Sequence, residues 1–233
     1  MFHLFCIIIP MYYYLDDEIS FPHPKAVKPS GILAIAGDLR FERLLLAYHY
    51  GIFPWYNEGE PIIWWCPNPR YVIFPERAKV PKSIKSYFNQ NKYRVTYNQA
   101  FEEVIRNCQN HPRSGQNGTW INEDIVQSYI NLHRMGYASS AEVWDDDILV
   151  GGLYGVHIGK VFYGESMFSK KSNASRFGFI SLAQKLESEG FYIIDCQQPN
   201  AYLESLGGEF ISGDEFQEIL GKNRKEWLKN QCY

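Results

Sequence analysis

The sequence predicts an α+β fold in two units, on three observations. Apolar residues alternate between Ala138 and Gly164, as strands do, then recur at three- and four-residue steps from Asn173, as on one face of a helix. The next run, Phe191 to Ile194, is aromatic and β-branched throughout, which marks a buried strand. Before residue 70 the texture is different, rich in Trp and Pro. The boundary is therefore expected between Pro69 and Pro81, with a small unit at 1–70 and a larger one at 71–233.

Composition sets outer limits. At 233 residues there is room for one large domain, or one domain with a small neighbour. With 45% hydrophobic and 21% charged residues the chain is globular rather than disordered. A net charge of -3 gives no overall basic field, so any nucleic-acid contact must come from a local patch. The five Cys (Cys6, Cys66, Cys108, Cys196, Cys232) are odd in number and form no CxxC, which points to reduced thiols in the cytoplasm and against a zinc site.

Taken in order, the opening MFHLFCIII is apolar but short, and Pro10 follows it. It lacks a basic leader region and a small-residue cleavage site, so it reads as an edge strand. No run approaches a membrane span, and no membrane partner is expected. Phe21-Pro-His-Pro24 is a rigid extended entry. Gly31 to Gly37 is a short buried segment, and Asp38 is expected to cap a helix that Gly51 ends, with Leu44, Leu45 and Tyr48 inward. Trp55, Trp64 and Trp65, set among four prolines, suggest either an aromatic-lined surface or a small core filled by Trp.

In the second unit, Pro81 to Asn91 reads as a short basic helix and Tyr93 to Tyr97 as a strand. Asn98 is expected to cap a helix through Cys108, and a further helix runs from Asn122 to Met135, stopped by Gly136. Lys79, Lys82, Lys85, Arg94 and Arg113 could face phosphates or simply solvent. Asp145-Asp-Asp147 reads as a hairpin turn, and Gly159 as a second. Gly151, Gly152 and Gly155 inside a strand pattern mark a bulge or a close backbone approach.

The whole is organised around Gly164 to Gln197. Glu165 is expected to end one strand, Asn173 to cap the long helix, Gly190 to follow its end, and Asp195-Cys-Gln197 to close the buried strand. Polar groups at the carboxyl end of a buried strand lie where α/β folds tend to carry chemistry. There is no P-loop, no GxGxxG before a helix, no HExxH, no EF-hand loop and no GxSxG, and the six His are dispersed. A reaction without cofactor or metal, on a substrate bringing its own activated bond, fits best. A nucleophilic Cys196 with His133 as base is the rival arrangement.

The runs FPHPKAVKPSGILAIAGDLRFERLLLAYHYGIFPWY, PIIWWCPNPR, GTWI, FYGESMFSKKSNAS and IDCQ, in this order and spacing, resemble the leucyl/phenylalanyl-tRNA–protein transferase family from about Phe21 to Phe216. The resemblance implies a small N-terminal domain and an acetyltransferase-like (GNAT-like) mixed-sheet C-terminal domain. The segment Ser169 to Ser175 lacks a glycine-rich coenzyme A loop, as an acyl donor other than coenzyme A would require.

The implied activity moves Leu or Phe, sometimes Met, from aminoacyl-tRNA to proteins that begin with Arg or Lys, and so marks them for N-end rule degradation. Asp195 would polarise Gln197, whose carbonyl oxygen receives the amine hydrogen, and Glu165 would order the site. Leu153, Phe162, Phe179, Leu182 and Ile194 would form an apolar donor pocket, and Trp55 and Trp120 would line the donor site. Ser139-Ser140, Tyr202 and Ser212-Gly213 depart from the family pattern. Nothing in the sequence demands a dimer, so a cytoplasmic monomer is expected.

Overall fold

Alternating strands and amphipathic helices build two sheets in the computed structural model, which describes residues 12–111 and 119–231. The edge strand expected of the first ten residues lies outside these, as do Cys6, Arg113 and Cys232. The first sheet comes from β1 (Tyr13–Leu15), β2 (Ile32–Ala36), β3 (Phe53–Pro54) and β4 (Ile63–Trp65), in the order β1-β2-β4-β3. Helix α1 (Phe41–His49) connects β2 to β3. Trp64 fills the core here, fully buried, and its indole N–H donates to the Ala36 carbonyl at 2.8 Å.

The chain continues through β5 (Arg70–Ile73), α2 (Lys82–Asn89), β6 (Arg94–Tyr97), α3 (Phe101–Asn110), α4 (Glu123–Arg134), β7 (Ala138–Asp145), β8 (Ile148–Ile158) and β9 (Val161–Ser169). It ends with α5 (Ala174–Ser188), β10 (Ile193–Gln197), α6 (Ala201–Ser205), β11 (Glu209–Ile211) and α7 (Gly213–Gln231). The second sheet is mixed and seven-stranded, in the order β11-β5-β10-β9-β8-β7-β6. The β9–β10 pair is parallel, and α5 makes the crossover that parallel strands require. Successive residues of β8 serve opposite faces. Gly151 and Leu153 meet α5, while Gly152 meets Val104 of α3. A Cβ on Gly151 would come within 2.7 Å of the Ala174 Cβ, so the absence of a side chain lets helix and sheet approach.

Of three expected caps, Asn173 does hold the cap position of α5, but it lies in the left-handed region (φ 62) and makes no capping bond, while the Ser175 N–H donates to Ser169 Oγ at 3.2 Å. Asn98 lies two residues ahead of the α3 cap position, and its side chain accepts from the Ser140 N–H at 2.9 Å. Asp38 lies two residues ahead of the Arg40 cap position and accepts from the Arg40 N–H. A tertiary partner holds the Asn98 side chain and its own turn that of Asp38, whereas Asn173 Oδ1 accepts from Arg176 Nη1 in the first turn of α5 at 3.3 Å. The expected cap at Asn122 forms, accepting from Ile125 N–H at 3.0 Å. The turns after Asp145 and at Gly159 also form. Glu165 does not end its strand, because β9 runs on to Ser169. Lys79, Lys82, Lys85 and Arg94 are exposed.

Candidate active site

Two bulges place the site. Across β8 and β9, Tyr154 faces Ser166 but Gly155 faces Gly164, so Glu165 is an extra residue. Across β5 and β10, Asp195 faces Val72 but Gln197 faces Tyr71, so Cys196 is an extra residue. Bulges bend a strand and re-aim its side chains. The parallel β9–β10 pairing ends at Tyr163 and Asp195, and a cavity opens beyond it.

That cavity measures about 600 Å³, within the range of small-molecule pockets (~300–1,000 Å³). Leu153, Met167, Phe179 and Ile194 give it apolar walls, with Glu165 and Gln197 as polar members. A second cavity, of about 230 Å³, is lined by Phe53 and Trp55 and shares Trp120, Glu165, Cys196, Gln197 and Asn200 with the first. Of the sequence-derived site residues, Leu153, Phe179, Ile194, Trp55, Trp120, Glu165 and Gln197 therefore come together. Phe162 and Leu182 are buried in the core around α5 and line neither cavity.

Asp195 also lines neither cavity and is completely buried. Its carboxylate accepts from Arg70 Nε at 2.8 Å and from Arg70 Nη2 at 2.7 Å, a two-pronged ion pair. Oδ1 further accepts from the main-chain N–H of Gln197 at 2.9 Å. Asp195 thus meets the backbone of Gln197 rather than its side-chain amide. That bond matters because Gln197 has φ 65, a conformation costing a residue with a side chain about 1–2 kcal/mol. Arg70 is itself fully buried, donates to the Gly51 carbonyl at 2.7 Å and lies 5.0 Å from the Phe53 and 4.6 Å from the Phe216 ring centres.

The Gln197 amide N–H donates to Glu165 Oε1 at 3.2 Å. A Glu165 oxygen also lies 2.8 Å from the Tyr48 hydroxyl and the other 3.3 Å from the Tyr129 hydroxyl, and the two phenol oxygens lie 2.5 Å apart. These three groups make three oxygen–oxygen contacts, but the two phenols bring only two hydrogens. A protonated carboxyl supplies the third and closes the ring. Burial pushes the Glu165 carboxyl up to about 8, with the Asp195 charge adding to the shift and the hydrogen bonds opposing it.

Folding therefore loses stability as pH rises from the usual 4.5 through about 8, at most about 1.4 kcal/mol per pH unit. Glu165→Gln is expected to remove that decline, so its thermal midpoint should gain on the wild type between pH 5 and 9. Parallel profiles would contradict a neutral Glu165.

Sequence reasoning missed Arg70, Tyr48 and Tyr129. The signal for Arg70 was its place in a proline-bounded apolar run, since a buried Arg demands a carboxylate. The rival arrangement is not assembled. His133 stacks on Phe101 and bonds the Ala138 carbonyl, while burial pushes the Cys196 thiol well up, away from a reactive thiolate. Among the described residues no group of three or more His, Cys, Asp or Glu could hold a metal ion.

Residues 72–221 match the sequence model described as leucyl/phenylalanyl-tRNA protein transferase, and residues 37–68 match that of its N-terminal domain. A leucyl/phenylalanyl-tRNA–protein transferase of Christiangramia forsetii is 53% identical over 89% of this chain and 99% of its own. The protein of that name from Flavobacterium johnsoniae is 52% identical over 89% and 98%. That from Pseudomonas fluorescens (strain SBW25) is 48% identical over 88% and 91%. A solved conserved protein of unknown function from Bacteroides thetaiotaomicron aligns at TM-score 0.42 and 11% identity over 59% of this chain and 54% of its own, too slight a likeness to assign a fold. The class so defined is an enzyme, an aminoacyltransferase. The chain belongs to the leucyl/phenylalanyl-tRNA–protein transferase family.

Proposed function

We propose that the protein moves a leucyl, phenylalanyl or methionyl group from aminoacyl-tRNA to the N-terminal amine of proteins beginning with Arg or Lys, marking them for N-end rule degradation. One observation carries this reading: the apolar cavity and the aromatic one meet at Glu165 and Gln197. An ester carbonyl held at that junction sends its side chain between Leu153, Phe179 and Ile194. Its ribose and terminal adenine go toward Trp55 and Trp120, where stacking is worth about 1–3 kcal/mol per base. An apolar pocket separates side chains differing by a methylene by only about 1–3 kcal/mol, which suits an enzyme that accepts several donors.

The ester is already activated, so the site's task is placement and proton handling. A protein α-amine has a pKa of about 7.7–8.0 and is largely protonated at neutral pH. The amine attacks once it has lost its extra proton to solvent, with one N–H donating a hydrogen bond to the carbonyl oxygen of Gln197. The N–C bond forms, the ester C–O bond breaks, and the amine's proton passes to the ribose oxygen, which leaves as the hydroxyl of the tRNA. Asp195 is the positioning group behind Gln197, and Arg70 neutralises Asp195. Glu165, being neutral, orients the Gln197 amide without placing a second negative charge beside Asp195. Phe162 and Leu182 back the pocket wall from the core.

The reading keeps the division at 1–70 and 71–233, an acetyltransferase-like second domain, and a cytoplasmic monomer acting without a cofactor. Cys66 and Cys196 form no disulfide among the described residues, which suits a reducing compartment. No helix among the described residues is long and apolar enough to cross a membrane. Incubation with labelled Phe-tRNA and a peptide beginning with Arg is expected to give a peptide with Phe at its new N-terminus. Labelled tRNA left intact beside an unmodified peptide would contradict the reading.

A further inference from the structure

We propose that Arg224, on α7, is a positioning residue for the transfer, acting through the end of α1 to hold Tyr48 against Glu165. The inference rests on the reading above, since it takes Glu165 and Gln197 as the reacting centre. A helix leaves its last carbonyls without main-chain donors. At the end of α1, the carbonyls of His49, Tyr50 and Gly51 are taken instead by three side chains from distant parts of the chain. Arg224 Nη1 donates to His49 at 2.5 Å, Gln217 Nε2 to Tyr50 at 3.0 Å, and Arg70 Nη2 to Gly51 at 2.7 Å. Arg70 is the residue that neutralises Asp195. The other two belong to α7, none of whose residues lines either cavity of the reacting centre.

Tyr48 sits at that helix end, directly before His49. Its hydroxyl lies 2.8 Å from Glu165 Oε1, and its carbonyl accepts from the Tyr163 hydroxyl at 2.6 Å. Tyr163 and Glu165 both belong to β9, so Tyr48 is fastened to that strand at its two ends. Close packing lets a fully buried ring move only with its backbone. A shift of the helix end therefore moves the Tyr48 hydroxyl, then Glu165, then the Gln197 amide that donates to Glu165. Arg224 fixes that end on more than one side. Its guanidinium carbon lies 4.7 Å from the Tyr50 ring centre, and Trp227, three residues on, packs edge-on against His49 with ring centres 4.7 Å apart. Its positive charge suits the carboxyl end of a helix, which carries a partial negative charge. α7 is itself tied to the second sheet. Asn223 is buried, accepts from the Lys160 N–H at 2.7 Å and donates to the Ile158 carbonyl at 2.8 Å. The helix thus sets the end of α1 against the turn that leads into β9, the strand that carries Glu165.

A double-mutant cycle, read by steady-state transfer of labelled Phe to a peptide beginning with Arg, tests the assignment. Arg224→Met keeps an unbranched stem and loses the donor. It is expected to lower kcat about tenfold, the effect of a modest misplacement of reacting groups, with KM for Phe-tRNA within about twofold. Arg224→Lys, which can still donate to His49, should recover most of the loss. In a Tyr48→Phe background the same Arg224→Met change is expected to cost less than about twofold, because the hydroxyl it positions is already gone. Circular dichroism at the assay temperature shows which samples are folded, and Gln217→Met takes the place of Arg224→Met in the cycle if the latter unfolds. An equal loss in both backgrounds, a loss carried by KM, or a full kcat in the single variant would overturn the assignment. A wild type that transfers no Phe is a different result, and overturns the transfer reading beneath it.

Discussion

Replacing Arg70 by methionine is expected to cost about 3–5 kcal/mol of folding stability, because Asp195 is left charged and unpaired in a dry interior. Arg70 joins parts far apart in the chain. It holds the Gly51 carbonyl, the Asp195 carboxylate and a place between the Phe53 and Phe216 rings. The double variant Arg70→Met, Asp195→Leu removes both charges and should regain most of that loss, since an apolar pair of similar volume can replace a buried ion pair. It should not regain transfer, because the Gln197 N–H has then lost its acceptor. Denaturant unfolding followed by circular dichroism, beside a transfer assay on the same samples, separates the two effects. A double variant with full transfer would show that the ion pair serves folding alone.

Gln197→Ala is expected to lower kcat about 10²-fold, the usual size of losing one positioned proton acceptor or charge-stabilising group. KM for aminoacyl-tRNA should change little, since the apolar and aromatic walls that hold the donor remain. The fold should also remain, because Asp195 bonds the main chain at 197, which alanine keeps. A rise in KM with kcat intact would make Gln197 a binding residue instead.

Periodicity made α5, β10, α4 and the β7–β9 meander legible, because each is specified by neighbours within a turn or a hairpin. The site's supports were not legible by that route. Arg70 and Asp195 are 125 positions apart and Tyr48 and Tyr129 are 81 apart, so no local pattern links them. β5 and β11 enter the large sheet by pairing with each other and with β10, which short apolar runs do not announce. Glu165 was read as a strand end because a polar residue after an apolar run looks like one. It is instead the bulge residue of a longer strand, and that bulge turns it toward Gln197.

The donor's placement is tested most directly by solving the protein with phenylalanyl-adenosine joined through a hydrolysis-resistant 3′-amide. The benzyl group is expected between Leu153, Phe179 and Ile194, the adenine against Trp55 or Trp120, and the carbonyl carbon beside the Gln197 amide. A benzyl group outside that cavity, or a carbonyl beyond reach of an amine held at Gln197, would contradict it.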